Sequence, residues 1–100
     1  MDKRCKIDSI LSSKRKLNKI EKFKKEMIYE LIDNTHKGNW EEFINSPEIH
    51  QELEYHLIKL RNAENENYHS KDGAKDKIKE YIADCANLLL MLGNSYRLYE

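Results

Sequence analysis

The sequence predicts an all-α fold, a small bundle of three to four helices completed by oligomerisation. Three observations carry this reading. The 100 residues include only one proline and three glycines, so few turns interrupt the chain. Valine is absent, while Leu, Ile, Lys, Glu and Asn dominate. Apolar residues recur at three- and four-residue steps, the period of an amphipathic helix. At this length the chain is read as one helical domain, 1–100, with a basic N-terminal helical segment, 1–25. A 39% hydrophobic and 36% charged composition supplies a small core and a heavily solvated surface.

The elements follow in order. Ile7, Ile10 and Leu11, then Leu17, Ile20, Phe23, Met27, Ile28, Leu31 and Ile32 trace a helical face. "LSSKRK" marks a break with Ser12 or Ser13 as N-cap, so residues 7–34 are either one helix or two. "DNTHKGN" ends it: Asn34 and Gly38 suit a C-terminal turn, and His36 and Lys37 suit the negative end of the helix dipole. "WEEF" reads as a short helical turn. "NSPEI" starts the next helix, with Ser46 as cap, Pro47 in the first helical position and Glu48 at the positive end. That helix places Ile49, Leu53, Leu57 and Leu60 on one face and is expected to run to about Ala63. "ENENYHSKDG" reads as a polar loop with Asp72-Gly73 as its turn. The last helix begins near Ala74 and carries Ile78, Ile82, Cys85, Leu89 and Leu92 in alternating steps of four and three. Gly93-Asn94 are expected to stop it. "CANLLLML" is apolar nearly all round, which calls for burial on more than one side and favours a dimer or tetramer.

Charge and cysteine content narrow the function classes. Residues 1–25 hold ten Lys/Arg against three acids, +7, and the other 75 hold eight against fifteen, −7, so the net charge of zero conceals a strong asymmetry. A solvated lysine-rich helix facing an acidic neighbour is preferred over a nucleic-acid arm, because no aromatic residue interleaves with the basic run before Phe23. Cys5 and Cys85 form neither a disulfide framework nor a metal-binding pair, and Cys85 reads as a small core residue. No signal-peptide core is present, and "NLLLML" is too short to span a bilayer. An intracellular, cytoplasmic location without a membrane partner is expected.

The polar residues beside the apolar seams carry the candidate chemistry. Glu52, His56, Lys59 and Ala63 form one stripe at steps of four, three and four. On the last helix Glu80, Asp84 and Asn87 form a second, with Tyr81 adjacent. Asp84 and Asn87 stand in the most apolar helix, where a carboxylate is costly unless paired or metal-bound. Facing helices of bundles hold divalent metals with such inward carboxylates, and Asp84, Glu80 and Glu52 are the candidate ligands. The plainer reading is a set of solvated acids, with Asp84 paired to Lys59.

The order "HKGNW", a helix ending "KLRNA", a polar loop and then "ADCAN" resembles MazG-like all-α nucleoside triphosphate pyrophosphohydrolases, including small phage and bacterial members, over residues 36–92. The resemblance implies Mg²⁺ held by an E-x-x-E pair on one helix and an E-x-x-D pair on a later one, with water attacking between the α and β phosphates. Laid on those motifs, Asp84 matches the aspartate and Asn87 a common following asparagine. His56 and Lys59 fall where the first two glutamates belong, and Tyr81 where the third does. Those three residues make a metal-free anion pocket, with a cation and a donor for phosphate and a ring for a base. Trp40 is expected to wall that slot or to pack on the core, and Lys37 to lie beside it. The expected function is binding of a nucleotide or nucleotide-derived phosphate ligand, with or without Mg²⁺-dependent pyrophosphohydrolase activity. The alternatives are a non-catalytic nucleotide-sequestering protein of phage type and a protein-interaction module.

Overall fold

The computed structural model describes residues 6–9, 13–33 and 46–100. Residues 6–9 form one helical turn. Helix α1 spans Lys14–Asp33, α2 spans Ser46–Tyr68 and α3 spans Ala74–Ser95. No strand occurs among the described residues. The turn "HKGNW", with Lys37 and Trp40, and the segment "WEEF" lie outside the described residues.

Each helix begins and ends where local chemistry permits. The carbonyl of Ser13 accepts the Leu17 N–H at 2.9 Å, and its hydroxyl accepts the Lys16 N–H at a long 3.5 Å. Ser13 therefore caps α1. Helix α2 continues five residues past the expected end at Ala63. The extra turn is held from outside, since Glu66 meets Lys77 of α3 at 3.4 Å. Helix α2 closes by a Schellman motif: the Lys71 N–H reaches the Glu66 carbonyl at 3.1 Å and the Ser70 N–H reaches Asn67 at 2.9 Å. Ser70 takes the left-handed conformation, φ 57°, that this motif requires. Gly73, φ 78°, then turns the chain into α3.

Gly93 does not stop α3, as the sequence pattern suggested. The helix passes through it to Ser95. Gly93 is buried, and a Cβ there would come within 2.6 Å of the Tyr99 hydroxyl. Its lack of a side chain admits the folded-back tail, whose Leu98 N–H bonds the Gly93 carbonyl at 3.2 Å.

Helices α2 and α3 form an antiparallel hairpin, and α1 packs on a separate face of α3. The pairing runs from Glu66–Lys77 near the turn, through His56–Asp84 at mid-length, to Ile49 beside Leu88 and Met91 at the far end. Ile49 is fully buried, and Leu53 and Leu92 pack around that cluster. Ala63, Ala74 and Ala83 are buried too, small residues that let helix backbones approach closely. On α2 the inward stripe is Ile49, Leu53, His56, Leu60 and Ala63, while Leu57 is exposed. On α3 the buried residues include Ala83, Asn87, Leu88 and Met91, whereas Ile82 and Leu89 of the expected seam are 39% and 53% exposed. Two neighbours contact α3 from directions that leave part of this seam uncovered. Helices α1 and α2 cover α3 on two sides and leave Ile82 and Leu89 open.

Two outcomes follow from these contacts. Ile49→Ala removes a large side chain that is fully buried and is expected to cost about 2–5 kcal/mol in urea unfolding, whereas Ile58→Ala on the outer face of α2 leaves the midpoint nearly unchanged. Ser70→Gly relieves a left-handed non-glycine residue and is expected to stabilise the chain by about 1 kcal/mol, read as a higher midpoint at unchanged slope.

Candidate functional site

The inward stripes of α2 and α3 each contain a polar residue where an apolar one would close the core. His56 and Asp84 meet there, with His56 Nδ1 3.7 Å from Asp84 Oδ2. The other ring nitrogen, Nε2, lies 3.8 Å from Glu52 Oε2, one turn earlier on α2. The imidazole thus has a carboxylate beside each nitrogen. At these separations the contacts are ion-pair distances for a protonated ring rather than close hydrogen bonds.

Asp84 also belongs to a second group. One carboxylate oxygen each of Glu30, Glu80 and Asp84 lies within 4.8 Å of the others, joining α1 to α3. Glu30 and Asp84 are half-buried and Glu80 is exposed. Like charges at such spacing repel by on the order of 1 kcal/mol per pair in bulk water, and by several times that at the effective dielectric of a partly buried site. A cation between them would relieve that repulsion. An all-carboxylate oxygen set has the chemistry that hard divalent cations select.

Asn87 stands one turn beyond Asp84 and is 6% exposed. Its Nδ2 donates to the Met27 carbonyl of α1 at 2.9 Å. Its Oδ1 is buried with no hydrogen-bond partner among the described residues. Glu30 is one turn beyond Met27, so this hydrogen bond helps fix the part of α1 that carries the third carboxylate. A further tie, Lys79 Nζ to Glu26 Oε1 at 3.0 Å, clamps the same two helices. The Glu26 carboxylate holds the Lys79 ammonium above its ordinary pKa, by hydrogen bond first and by charge second.

Lys59 faces rings rather than acids. Its Nζ lies 4.7 Å from the Tyr55 ring centroid and 5.3 Å from that of Tyr81, so the ammonium is held by the negative ring faces. The plainer pairing of Asp84 with Lys59 is not what forms; Asp84 meets His56 instead. Tyr81, expected as a ring for a base, supports the cation.

The structure therefore brings His56, Asp84 and Glu52 into one chain of contacts, and Asp84 with Glu80 into one carboxylate group. Glu52 joins the first and not the second. The sequence reading missed Glu30. Only its position one turn after Met27, at the border of the apolar face of α1, distinguishes it from the many solvated acids. Cys85 is free and buried on α3. Burial first, and the adjacent Asp84 charge second, push its thiol above the usual value.

Comparison with known proteins finds no matching family model, curated protein or solved structure. Among the described residues, no helix is long and apolar enough to cross a membrane.

The Cys85 environment gives a measurable sign. Because both burial and Asp84 oppose the thiolate, its alkylation by iodoacetamide should be slower than that of a free thiol and should rise with pH to a midpoint above the ordinary one. Asp84→Asn removes the second cause and is expected to lower that midpoint. An unchanged or higher midpoint in a folded variant would contradict the assignment.

Proposed function

We propose that the carboxylate group of α1 and α3, with His56 of α2 beside it, binds a phosphate-bearing nucleotide through a divalent cation, as a divergent MazG-like protein would. The observation that carries this is the convergence of Glu30, Glu80 and Asp84 within 4.8 Å. Glu30, Glu80 and Asp84 would hold the Mg²⁺. A bound Mg²⁺ supplies charge neutralisation to phosphate oxygens, and with a triphosphate it supports pyrophosphohydrolase chemistry. His56, 3.7 Å from Asp84, orients that carboxylate, and Glu52 in turn orients His56. The buried Oδ1 of Asn87 adds an acceptor one turn away on α3.

The departures from the family pattern fit this reading in a specific way. Lys59, at a position where the family has a carboxylate, would repel a cation if its amine faced the site. Here that amine rests on Tyr55 and Tyr81. Glu30 supplies from α1 a carboxylate that α2 no longer provides.

A second reading has its own observation. The Lys59 ammonium over two rings makes a cationic, aromatic surface suited to a phosphate and a base without metal. In that case the chain sequesters nucleotides and has no need of the carboxylate group.

Thermal denaturation with nucleoside triphosphates, monophosphates and cyclic nucleotides, each with Mg²⁺ or with chelator, separates the two. Ligand at about 100 times Kd adds about 2.7 kcal/mol, which for a domain of this size raises Tm by on the order of 10 °C. The proposal expects that rise only with Mg²⁺, and its loss in Glu30→Gln and Asp84→Asn. Pyrophosphate release from a triphosphate, where seen, should vanish in the same two variants. A rise that persists in chelator and is lost in Lys59→Ala would replace it with the metal-free reading. No rise with any nucleotide would leave neither standing.

A further inference from the structure

A different surface of the bundle has the form of a docking groove. Helices α1 and α3 enclose a groove of about 610 Å³ with an apolar floor of Phe23, Tyr29, Ile78 and Ile82. Phe23, Tyr29 and Ile82 are 45%, 57% and 39% exposed, more open than the floor of a closed core. Lys22, Lys25, Lys75 and Lys79 border it, against a single acid, Glu26. Glu26 is already matched by Lys79 at 3.0 Å. Among the described residues no ion pair engages Lys22, Lys25 or Lys75. The groove thus keeps a surplus of three positive charges around apolar side chains.

We infer that this groove is a docking site for an acidic amphipathic helix of a partner protein. Two parallel ridges of side chains form a trough that a third helix fills with residues at i, i+3, i+4 and i+7. The floor takes that apolar stripe, and the lysines on both banks pair with carboxylates flanking it. The lysines steer encounter and set orientation, while the floor supplies the area removed from water. Of the α3 seam, Ile82 lies in the groove and Leu89, also open to solvent, follows two turns on, whereas Cys85 and Leu92 are turned into the bundle. The lysine surplus rejects a basic helix by like-charge contact, so selectivity arises from repulsion as well as attraction. This inference does not depend on the carboxylate group, which uses other residues of the same helices.

The test is a fluorescence-anisotropy titration of the whole chain against a labelled helical peptide of about 20 residues, long enough to hold helix on binding. Its leucines follow the i, i+3, i+4, i+7 pattern and its flanks are glutamate; a control peptide carries lysine on the flanks. The glutamate peptide is expected to bind, to weaken with added salt, and to bind about tenfold less tightly to the Lys22→Glu/Lys75→Glu variant. Ile82→Glu should abolish it, and Asp84→Asn should leave it unchanged. Equal binding of the lysine peptide, or no loss on charge reversal in a variant whose circular dichroism is intact, overturns the proposal. So does a free chain that sediments as a dimer dissociated by Ile82→Glu, which would make a second copy the occupant. Tighter binding to phosphatidylglycerol vesicles than to the peptide would overturn it in favour of a membrane surface.

Discussion

The bundle is organised around a polar contact placed where a leucine would ordinarily close the core: His56 of α2 against Asp84 of α3, Nδ1 to Oδ2 at 3.7 Å. The apolar material at the far end is small, Ile49 with Leu88 and Met91. Removing a carboxylate and an imidazole partly from water costs free energy that such a core must offset. Helix α1 is held by polar links as well, the Asn87 amide on the Met27 carbonyl and Lys79 on Glu26. Glu30 therefore reaches Asp84 because hydrogen bonds and ion pairs position α1, and the carboxylate group is only as ordered as those links. Fold and site share the same residues, so a change that improves packing at His56 or Asn87 removes the candidate chemistry.

Much of this was legible in the sequence. Periodicity located α1, α2 and α3, the Ser12-Ser13 pair and the Asp72-Gly73 turn marked boundaries, and the polar pair in the most apolar helix pointed to Asp84 and Asn87. The failures have a common origin. A periodic pattern gives a helix an apolar face but does not say which neighbour lies against it, so α2 turns half-buried His56 inward and leaves Leu57 exposed. The Glu64–Tyr68 turn reads as loop by composition, yet Glu66 has Lys77 across the hairpin. Gly93 reads as a stop, while its actual constraint is the Tyr99 ring, six residues further on. Glu30 becomes visible only when α1 is laid on α3, because nothing within α1 distinguishes it from its solvated neighbours.

Lys59 shows how an unfavourable residue type can be made compatible with a nearby acidic group. A lysine among carboxylates is expected to pair with one of them and neutralise it. Tyr55 and Tyr81 instead offer two ring faces within reach of the ammonium, so Asp84 stays available to His56 and to the Glu30–Glu80 group. Residue type alone does not reveal this; side-chain direction does, since the Lys59 ammonium is turned onto two rings. A neutral aromatic at position 59 would fill similar space but would lose the cation that rests on these rings. The same lysine thus separates the metal-dependent reading from the metal-free one.

The charge asymmetry of the chain acquires a spatial meaning from the same packing. Helix α1 is strongly basic, yet it turns Glu30 toward the acidic group of α3 and presents Lys22 and Lys25 to the groove. One helix thereby contributes to fields of opposite sign on two parts of its surface, although the whole molecule carries no formal net charge. The two fields are not remote from one another: Glu30 and Glu80 of the carboxylate group are next in sequence to Tyr29 and Lys79 of the groove, so each lies within reach of the other before salt screens it. Overall neutrality conceals this arrangement, and the run of lysines in the first quarter of the sequence acquires a role only through the faces that α1 presents.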